Sequence, residues 1–186
     1  MPEITLLRHG RPSYELKGAP SAGEFGDIVE KYNQSGIQET PPSQLKQFAL
    51  QHHYIVCSDL LRSIESAHAL GINKIHITDP IFREVAMPYY DKGALRMSIS
   101  KWSVLFRVMS IFGFAKNGES LAMAKQRAKT ATSKLVSLAE EHSRVLLVGH
   151  GFMNYFIAKE LLVQNWSGPA KTGKDFWTLA TYQLDK

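Results

Sequence analysis

The sequence predicts an α/β fold, a three-layer α/β/α sandwich around a mainly parallel central sheet with a small cap insertion. Three observations predict it. Short apolar runs without polar alternation recur along the chain, the pattern of strands buried on both faces. Stretches with apolar residues at helical spacing lie between them, and strands alternating with helices build parallel sheets. The chain has 186 residues, 44% hydrophobic and 21% charged, which suits one domain with its own core. Residues 1–186 are accordingly read as a single domain.

Five segments read as strands. Ile4-Thr-Leu-Leu7 and Tyr54-Ile-Val-Cys57 are short and apolar, and Val145-Leu-Leu-Val148 is a continuous apolar run ending at Gly149. Lys74-Ile-His-Ile-Thr78 alternates and stops before Asp79-Pro80, and Phe176 to Leu184 is rich in aromatic and β-branched residues. Helical patterns fill the intervals: Ser43 to His52, Leu60 to Leu70, Ser120 to His142 and Asn154 to Leu162. Ser43 and Ser120 are expected as N-caps, because a serine hydroxyl accepts from the free N–H groups of a first turn. Pro12 to Pro42, rich in Gly, Pro and Ser, is expected to loop over the surface. Val85 to Lys116 is aromatic and apolar with no evident place in the sheet.

Composition excludes several classes. The single cysteine, Cys57, sits in an apolar run and reads as a buried strand residue. It forbids an intrachain disulfide and any multi-cysteine metal site. Glu3 and Arg8 interrupt the opening apolar stretch, which is too short for a secretory leader. The longest apolar candidate for a membrane span, Trp102 to Phe114, is short and broken by Arg107. A cytoplasmic protein with no membrane partner is expected. The net charge of +5 suits attraction of anions such as phosphorylated molecules. No basic run interleaved with aromatics and no zinc-finger spacing is present, so nucleic acid is not an expected partner.

In open α/β sheets, ligands bind beyond the carboxyl ends of the strands. Four segments place polar residues there: Arg8-His9-Gly10, Ser58-Asp59 with Arg62, Glu84, and Gly149-His150-Gly151. Two histidines, two arginines and a carboxylate can thus converge at one edge. Gly10 lets the backbone turn sharply, and glycines flanking His150 leave space around its imidazole. Arg62 falls on the first turn of a helix, where free N–H groups and the helix dipole favour an anion. A zinc site is the rival for any histidine cluster, but His-Glu-x-x-His and Cys-x-x-Cys spacings are missing and two arginines would repel a cation. The pattern selects an anion, with no metal and no cofactor called for. His52, His53, His68, His76 and His142 lack this context and read as surface or structural.

These same residues carry a resemblance. Leu6-Leu-Arg-His-Gly10, Ser58-Asp-Leu-Leu-Arg-Ser-Ile-Glu-Ser-Ala67, Phe82-Arg-Glu84, Asn117-Gly-Glu-Ser120 and Val148-Gly-His-Gly151 resemble, in order, the motifs of the histidine phosphatase superfamily, also called phosphoglycerate mutase-like. The resemblance implies a phosphatase that hydrolyses phosphate monoesters through a phosphohistidine intermediate on His9. Arg8, Arg62 and His150 would bind the transferring phosphoryl group, and Glu84 would give a proton to the leaving oxygen and then activate water. His9, Glu84 and His150 are the catalytic candidates. Ser58 and Arg11 are candidates for the substrate rim, and residues 85–116 for a cap over the site. A phosphorylated small molecule or a phosphoprotein would be the substrate. Two alternatives stay open: a mutase-like phosphotransferase, and a non-catalytic phosphate-binding protein on the same fold.

The chain departs from that pattern in places. Arg11 and Pro12 follow Arg-His-Gly where many members have Glu or Gln and then Thr, adding charge at the rim and stiffening the exit. Gln38 to Leu45 replaces a Leu-Thr-x-x-Gly helix start, with no catalytic consequence expected. The cap segment holds Met87, Tyr89, Tyr90, Trp102, Phe106, Met109, Phe112 and Phe114, which either pack it down, line a pocket for an apolar part of the substrate, or meet a partner. Lys92, Arg96, Lys101 and Arg107 could bind further anionic groups.

Overall fold

The computed structural model describes residues 1–184. In chain order its elements are β1 (Glu3–Arg8), α1 (Ala22–Gln34), α2 (Ser43–Ala49), β2 (Tyr54–Cys57), α3 (Leu61–Ala69), β3 (Ile77–Thr78), a short 3₁₀ turn (Pro80–Phe82), α4 (Ile99–Ile111), α5 (Leu121–His142), β4 (Arg144–Gly149), α6 (Gly151–Val163), β5 (Trp166–Ser167) and β6 (Leu179–Leu184). The strands form one sheet in the order β3-β2-β4-β1-β6-β5. β3, β2, β4 and β1 run parallel, and β6 and β5 add an antiparallel edge.

Side-chain alternation makes the sandwich. Ile4, Leu6, Val56, Val145 and Leu147 point to one face, where they meet Ala128, Leu135, Ile157 and Leu161 of α5 and α6. Leu7, Ile55, Cys57, Leu146 and Val148 point to the other, against Leu45, Ala49 and Ala67 of α2 and α3. Strands covered on both faces have no polar alternation to show, which explains the continuous apolar runs. Cys57 is buried, and burial pushes its thiol up to about 12, so it packs as a small apolar residue.

Several expectations need correction. Residues 12–42 are not a plain surface loop, for α1 lies within them. Ser21 opens that helix with a capping box: its hydroxyl accepts from Glu24 N–H at 3.3 Å, and the Glu24 carboxylate accepts from Ser21 N–H at 2.8 Å. Glycine and proline at the ends of the segment hid a helix whose Phe25, Ile28, Val29 and Tyr32 keep helical spacing. The third strand is two residues long, because the His76 imidazole Nδ1 accepts from Ile55 N–H at 3.0 Å, where a ladder carbonyl would otherwise stand. The last strand begins at Leu179, which leaves Phe176 and Trp177 in the loop before it. Pro42 occupies the N-cap of α2, so Ser43 is its first helical residue and makes no cap bond. Ser120 does cap α5, accepting from Met123 N–H at 3.2 Å.

α4 packs against α1 through a third apolar cluster of Phe25, Ile99, Trp102 and Phe106, in which the Trp102 and Phe106 rings stack at 5.0 Å. The Trp102 indole N–H donates to the Pro20 carbonyl at 2.9 Å. This cluster lies apart from the two that flank the sheet, and it places α1 and α4 beside the carboxyl ends of β1 and β4. No helix among the described residues is long and apolar enough to cross a membrane.

Candidate active site

Three neighbouring parallel strands end on site residues. β1 delivers Arg8 and then His9, β2 delivers Ser58, and β4 delivers Gly149 and then His150. Pairing of Arg8 with Gly149 brings the first and last groups side by side. The His9 and His150 rings lie 4.9 Å apart between centroids. The backbone of His9 donates to the Gly149 carbonyl at 3.0 Å, which locks the two turns together.

His9 is 2% exposed, and its Nδ1 lies 2.7 Å from the Gly10 carbonyl oxygen. A carbonyl only accepts, so Nδ1 carries the proton and Nε2 keeps a lone pair. Burial first, and then the Arg62 and Arg8 guanidiniums, lower the imidazole to about 3. Gly10 is itself pinned. Its N–H donates to the Ser66 hydroxyl at 2.9 Å, and that hydroxyl donates to the Arg62 carbonyl at 2.6 Å. A β-carbon on Gly10 would fall 2.3 Å from the Trp177 indole, so only glycine lets this ring lie on the turn. Trp177 adopts a φ of 61°, a left-handed conformation unusual for a bulky residue.

His150 is completely buried behind His9. Burial and the neighbouring His9, Arg62 and Arg8 hold it well below 6.5. Its Nε2 lies 2.6 Å from the Ser58 hydroxyl. Ser58 is fully buried rather than on the rim; it is wedged between His150 and Ser63, whose hydroxyl bridges Ser58 N–H and the Val148 carbonyl. Gly149 serves close packing: a β-carbon there would meet the Asn154 side-chain oxygen at 2.4 Å, whereas one on Gly151 would make an ordinary contact with the Arg8 guanidinium at 3.4 Å.

Arg62 is fully buried on the first turn of α3. It donates to the Tyr32 and Asn33 carbonyls at 3.2 and 3.4 Å and lies 4.9 Å from the Tyr32 ring centroid. Arg8 rests 4.4 Å over the Phe176 ring, and its guanidinium donates to the Lys174 carbonyl. Among the described residues, Arg8 Nε, Arg62 Nε and Nη2, and His150 Nδ1 are buried with no hydrogen-bond partner. Buried donors are nearly always satisfied, and buried cations need a counter-charge. An anion with several oxygens meets both requirements at once.

Glu84 lines the same cleft as His9. Its carboxylate accepts from Val85 N–H at 2.9 Å, Phe152 N–H at 3.1 Å and Met153 N–H at 3.2 Å, so it caps the positive end of α6. The Asn117-Gly-Glu-Ser120 motif supports it from behind. Glu119 forms a fork with Arg127 of α5 at 2.9 and 2.6 Å, and Arg127 donates to the carbonyls of Ile81, Arg83 and Glu84. Arg127 escapes sequence reasoning, whereas Arg107 of α4, one of the four cap cations offered for anionic groups, does lie in the cleft, 4.6 Å over the Phe152 ring. An arginine on a long amphipathic helix reads as solvated until the helix is placed. Arg11 stays exposed and tied to Glu39, 5.0 Å over Phe176 and outside the cleft wall. Arg96 pairs with Glu24 away from the cleft, and Lys92 and Lys101 do not line it.

Arg8, His9, Arg62, Glu84 and Arg107 line one cleft of about 1080 Å³. Fully buried His150 lies beneath that surface rather than on it.

Comparison with known proteins places this geometry. Solved structures with the same fold include the mycobacterial glucosyl-3-phosphoglycerate phosphatase, at 20% identity and a TM-score of 0.64, with 96% of this chain and 88% of that one covered. A phosphoserine phosphatase variant from Entamoeba histolytica, solved with phosphoserine, aligns at 14% identity and a TM-score of 0.61 over 97% of this chain and 90% of that one. A search among curated proteins gave no match. The family model of the histidine phosphatase superfamily, branch 1, matches residues 4–176, and with its motifs gathered at one sheet edge this chain belongs to that superfamily.

Proposed function

We propose that this chain is a phosphatase that hydrolyses phosphate monoesters through a phosphohistidine on His9. One observation carries the reading: buried nitrogens of Arg8, Arg62 and His150 without partners among the described residues accompany an imidazole whose Nδ1 is already committed to a carbonyl. The related folds named above, both of phosphatases, support the same chemistry.

The steps follow from the groups. A monoester dianion settles among the three cationic or N–H-bearing side chains, with guanidinium forks matched to its oxygens. His9 Nε2 attacks phosphorus as the bond to the ester oxygen breaks. The Glu84 carboxyl gives its proton to that oxygen, and the alcohol leaves. The Glu84 carboxylate then takes a proton from water as the water oxygen attacks phosphorus, releasing inorganic phosphate and free His9. Positioning and charge stabilisation supply most of the acceleration in such transfers. The lowered basicity of His9 keeps its nitrogen free of a proton at neutral pH. Residues 85–116, through α4, would roof the cleft as a cap, with Met87, Ile99 and Arg107 on its inner side.

Rapid-quench labelling with a phosphorus-labelled monoester tests the reading. Acid-labile, base-stable label on His9 is expected, and His9→Ala should lose both the label and turnover. Wild-type turnover by His9→Ala would end the assignment. Isomerisation of a phosphoglycerate without phosphate release would favour the mutase-like alternative.

A further inference from the structure

We propose that the alcohol carried by the substrate is a bulky apolar group, aliphatic or aromatic; this rests on the phosphatase reading and names the substrate class of that same site. The cleft, at about 1080 Å³, far exceeds a phosphoryl group and sits at the upper end of drug-sized pockets, roughly 300–1,000 Å³. Its two ends differ in chemistry. Arg8, His9 and Arg62 occupy the phosphoryl end. Beyond them the wall is mostly Phe25, Ile28 and Val29 of α1, Ile99 of α4, Met87 and Phe152, with Ser103, Arg107 and Tyr155 among them.

α1 shows the design most clearly. It carries Glu24, Asp27, Glu30 and Lys31, yet none of these lines the cleft; the helix presents Phe25, Ile28 and Val29 there, with Tyr32, Asn33 and Gln34 at its carboxyl end. Ile28, Val29 and Met87 are only partly covered by the neighbouring Trp102–Phe106 cluster, and the remainder of each faces the cleft. A small acid such as phosphoglycerate would need a free cation for its carboxylate. The cations outside the phosphoryl end offer little for that. Arg83 is held in a fork by Asp59 at 2.6 and 2.5 Å. Arg107 donates to the Val85 carbonyl and lies on Phe152, and its buried Nε, without a partner among the described residues, is the one donor there that a carboxylate would compete for. Lys171 and Lys174 belong to the loop whose Lys174 carbonyl holds Arg8, at the phosphoryl end. An apolar alcohol loses contact with water along the α1–α4 wall and asks nothing of these groups.

The test is a chain-length series. kcat/KM is measured for ethyl, butyl and octyl phosphate, for 3-phosphoglycerate and phosphoserine, and for hexadecyl phosphate held in phosphatidylcholine vesicles. Each added methylene is expected to raise kcat/KM about 2- to 4-fold, placing octyl phosphate far above both small acids. Higher turnover of the vesicle-held ester than of octyl phosphate would assign a lipid source, and the reverse a freely dissolved one; both support the proposal. Val29→Asp, with Val29→Ala as the milder change, should flatten the series. Phosphorylation of His9 by p-nitrophenyl phosphate and inhibition by orthovanadate are followed alongside. A flat series, or 3-phosphoglycerate ahead of octyl phosphate, with His9 still phosphorylated, overturns the apolar-substrate inference alone. Absence of both phosphorylation and inhibition overturns the phosphatase reading beneath it.

Discussion

The hydroxyl of Ser58 decides what His150 can offer. Ser58 Oγ accepts from Leu60 N–H at 3.3 Å and lies 2.6 Å from His150 Nε2. Donation by the hydroxyl to Nε2 would put the imidazole proton on Nδ1, where it can serve an anion. Ser58→Ala should remove the bias and leave a buried nitrogen unsatisfied, with a loss in kcat/KM of about 10- to 100-fold. Ser58→Thr keeps the hydroxyl and should recover most of it. Steady-state kinetics on both variants, with phosphate inhibition constants, is the measurement; an unchanged Ser58→Ala enzyme would detach this hydroxyl from the site. The sequence motif marked Ser58 as a residue of interest but assigned it to the rim, because burial of a short polar side chain depends on which strands become neighbours. The role of Gly10 as the acceptor for His9 likewise appears only in the folded turn, where its carbonyl stands 2.7 Å from Nδ1.

At the scale of elements, α5 and the segment before it act as one lever. Arg127 donates to the carbonyls of Ile81, Arg83 and Glu84 and is held by Glu119, so the Glu84 carboxylate is presented to the cleft by a helix that does not line it. Arg127→Met should therefore behave as a weakened Glu84→Gln. General acid assistance contributes typically about 10²–10⁴-fold, and matters most when the departing alcohol is a poor leaving group. Glu84→Gln is expected to cost that much on alkyl phosphates and far less on p-nitrophenyl phosphate, with Arg127→Met shifted the same way by a smaller factor. Equal losses on both esters would show that Arg127 acts on folding rather than on proton delivery. Strand and helix periodicity made β1, β2, β4, α3 and α5 legible in the chain, the strands by their apolar runs and the helices by apolar residues at helical spacing. α1 was hidden by the Gly, Pro and Ser around it, although the Ser21–Glu24 pair is a helix-start signal in its own right. β5, two residues long, has no period to read.

For the molecule as a whole, the site carries a stability cost that depends on pH. His9 is lowered to about 3 and His150 well below 6.5, chiefly by burial. Between pH 6.5 and about 3 the unfolded chain binds protons at these positions that the folded chain does not. Unfolding free energy therefore falls as pH drops through that window and is steady with respect to these groups above it. Urea midpoints taken from pH 7 to pH 4 in phosphate-free buffer should decline, and His9→Asn should decline less steeply than wild type. Parallel curves would mean that His9 titrates normally. Inorganic phosphate at millimolar level should counter the decline, because an anion bound only to the folded state stabilises it by mass action. The convergence at one sheet edge was visible in the sequence because polar residues after apolar strands have only that edge to occupy. The apolar wall opposite was not, since it joins α1 to α4 across more than sixty residues of chain.

The indole of Trp177 lies against the backbone of Gly10, and its buried Nε1 has no partner among the described residues. Trp102 and Trp166, the other two tryptophans, are buried elsewhere. One fluorophore thus sits a single residue from His9, the proposed nucleophile, while the others report on distant packing. Its emission offers a label-free optical readout of the turn, fast enough to follow loading and discharge of the enzyme within one catalytic cycle, and Trp177→Phe supplies the dark control.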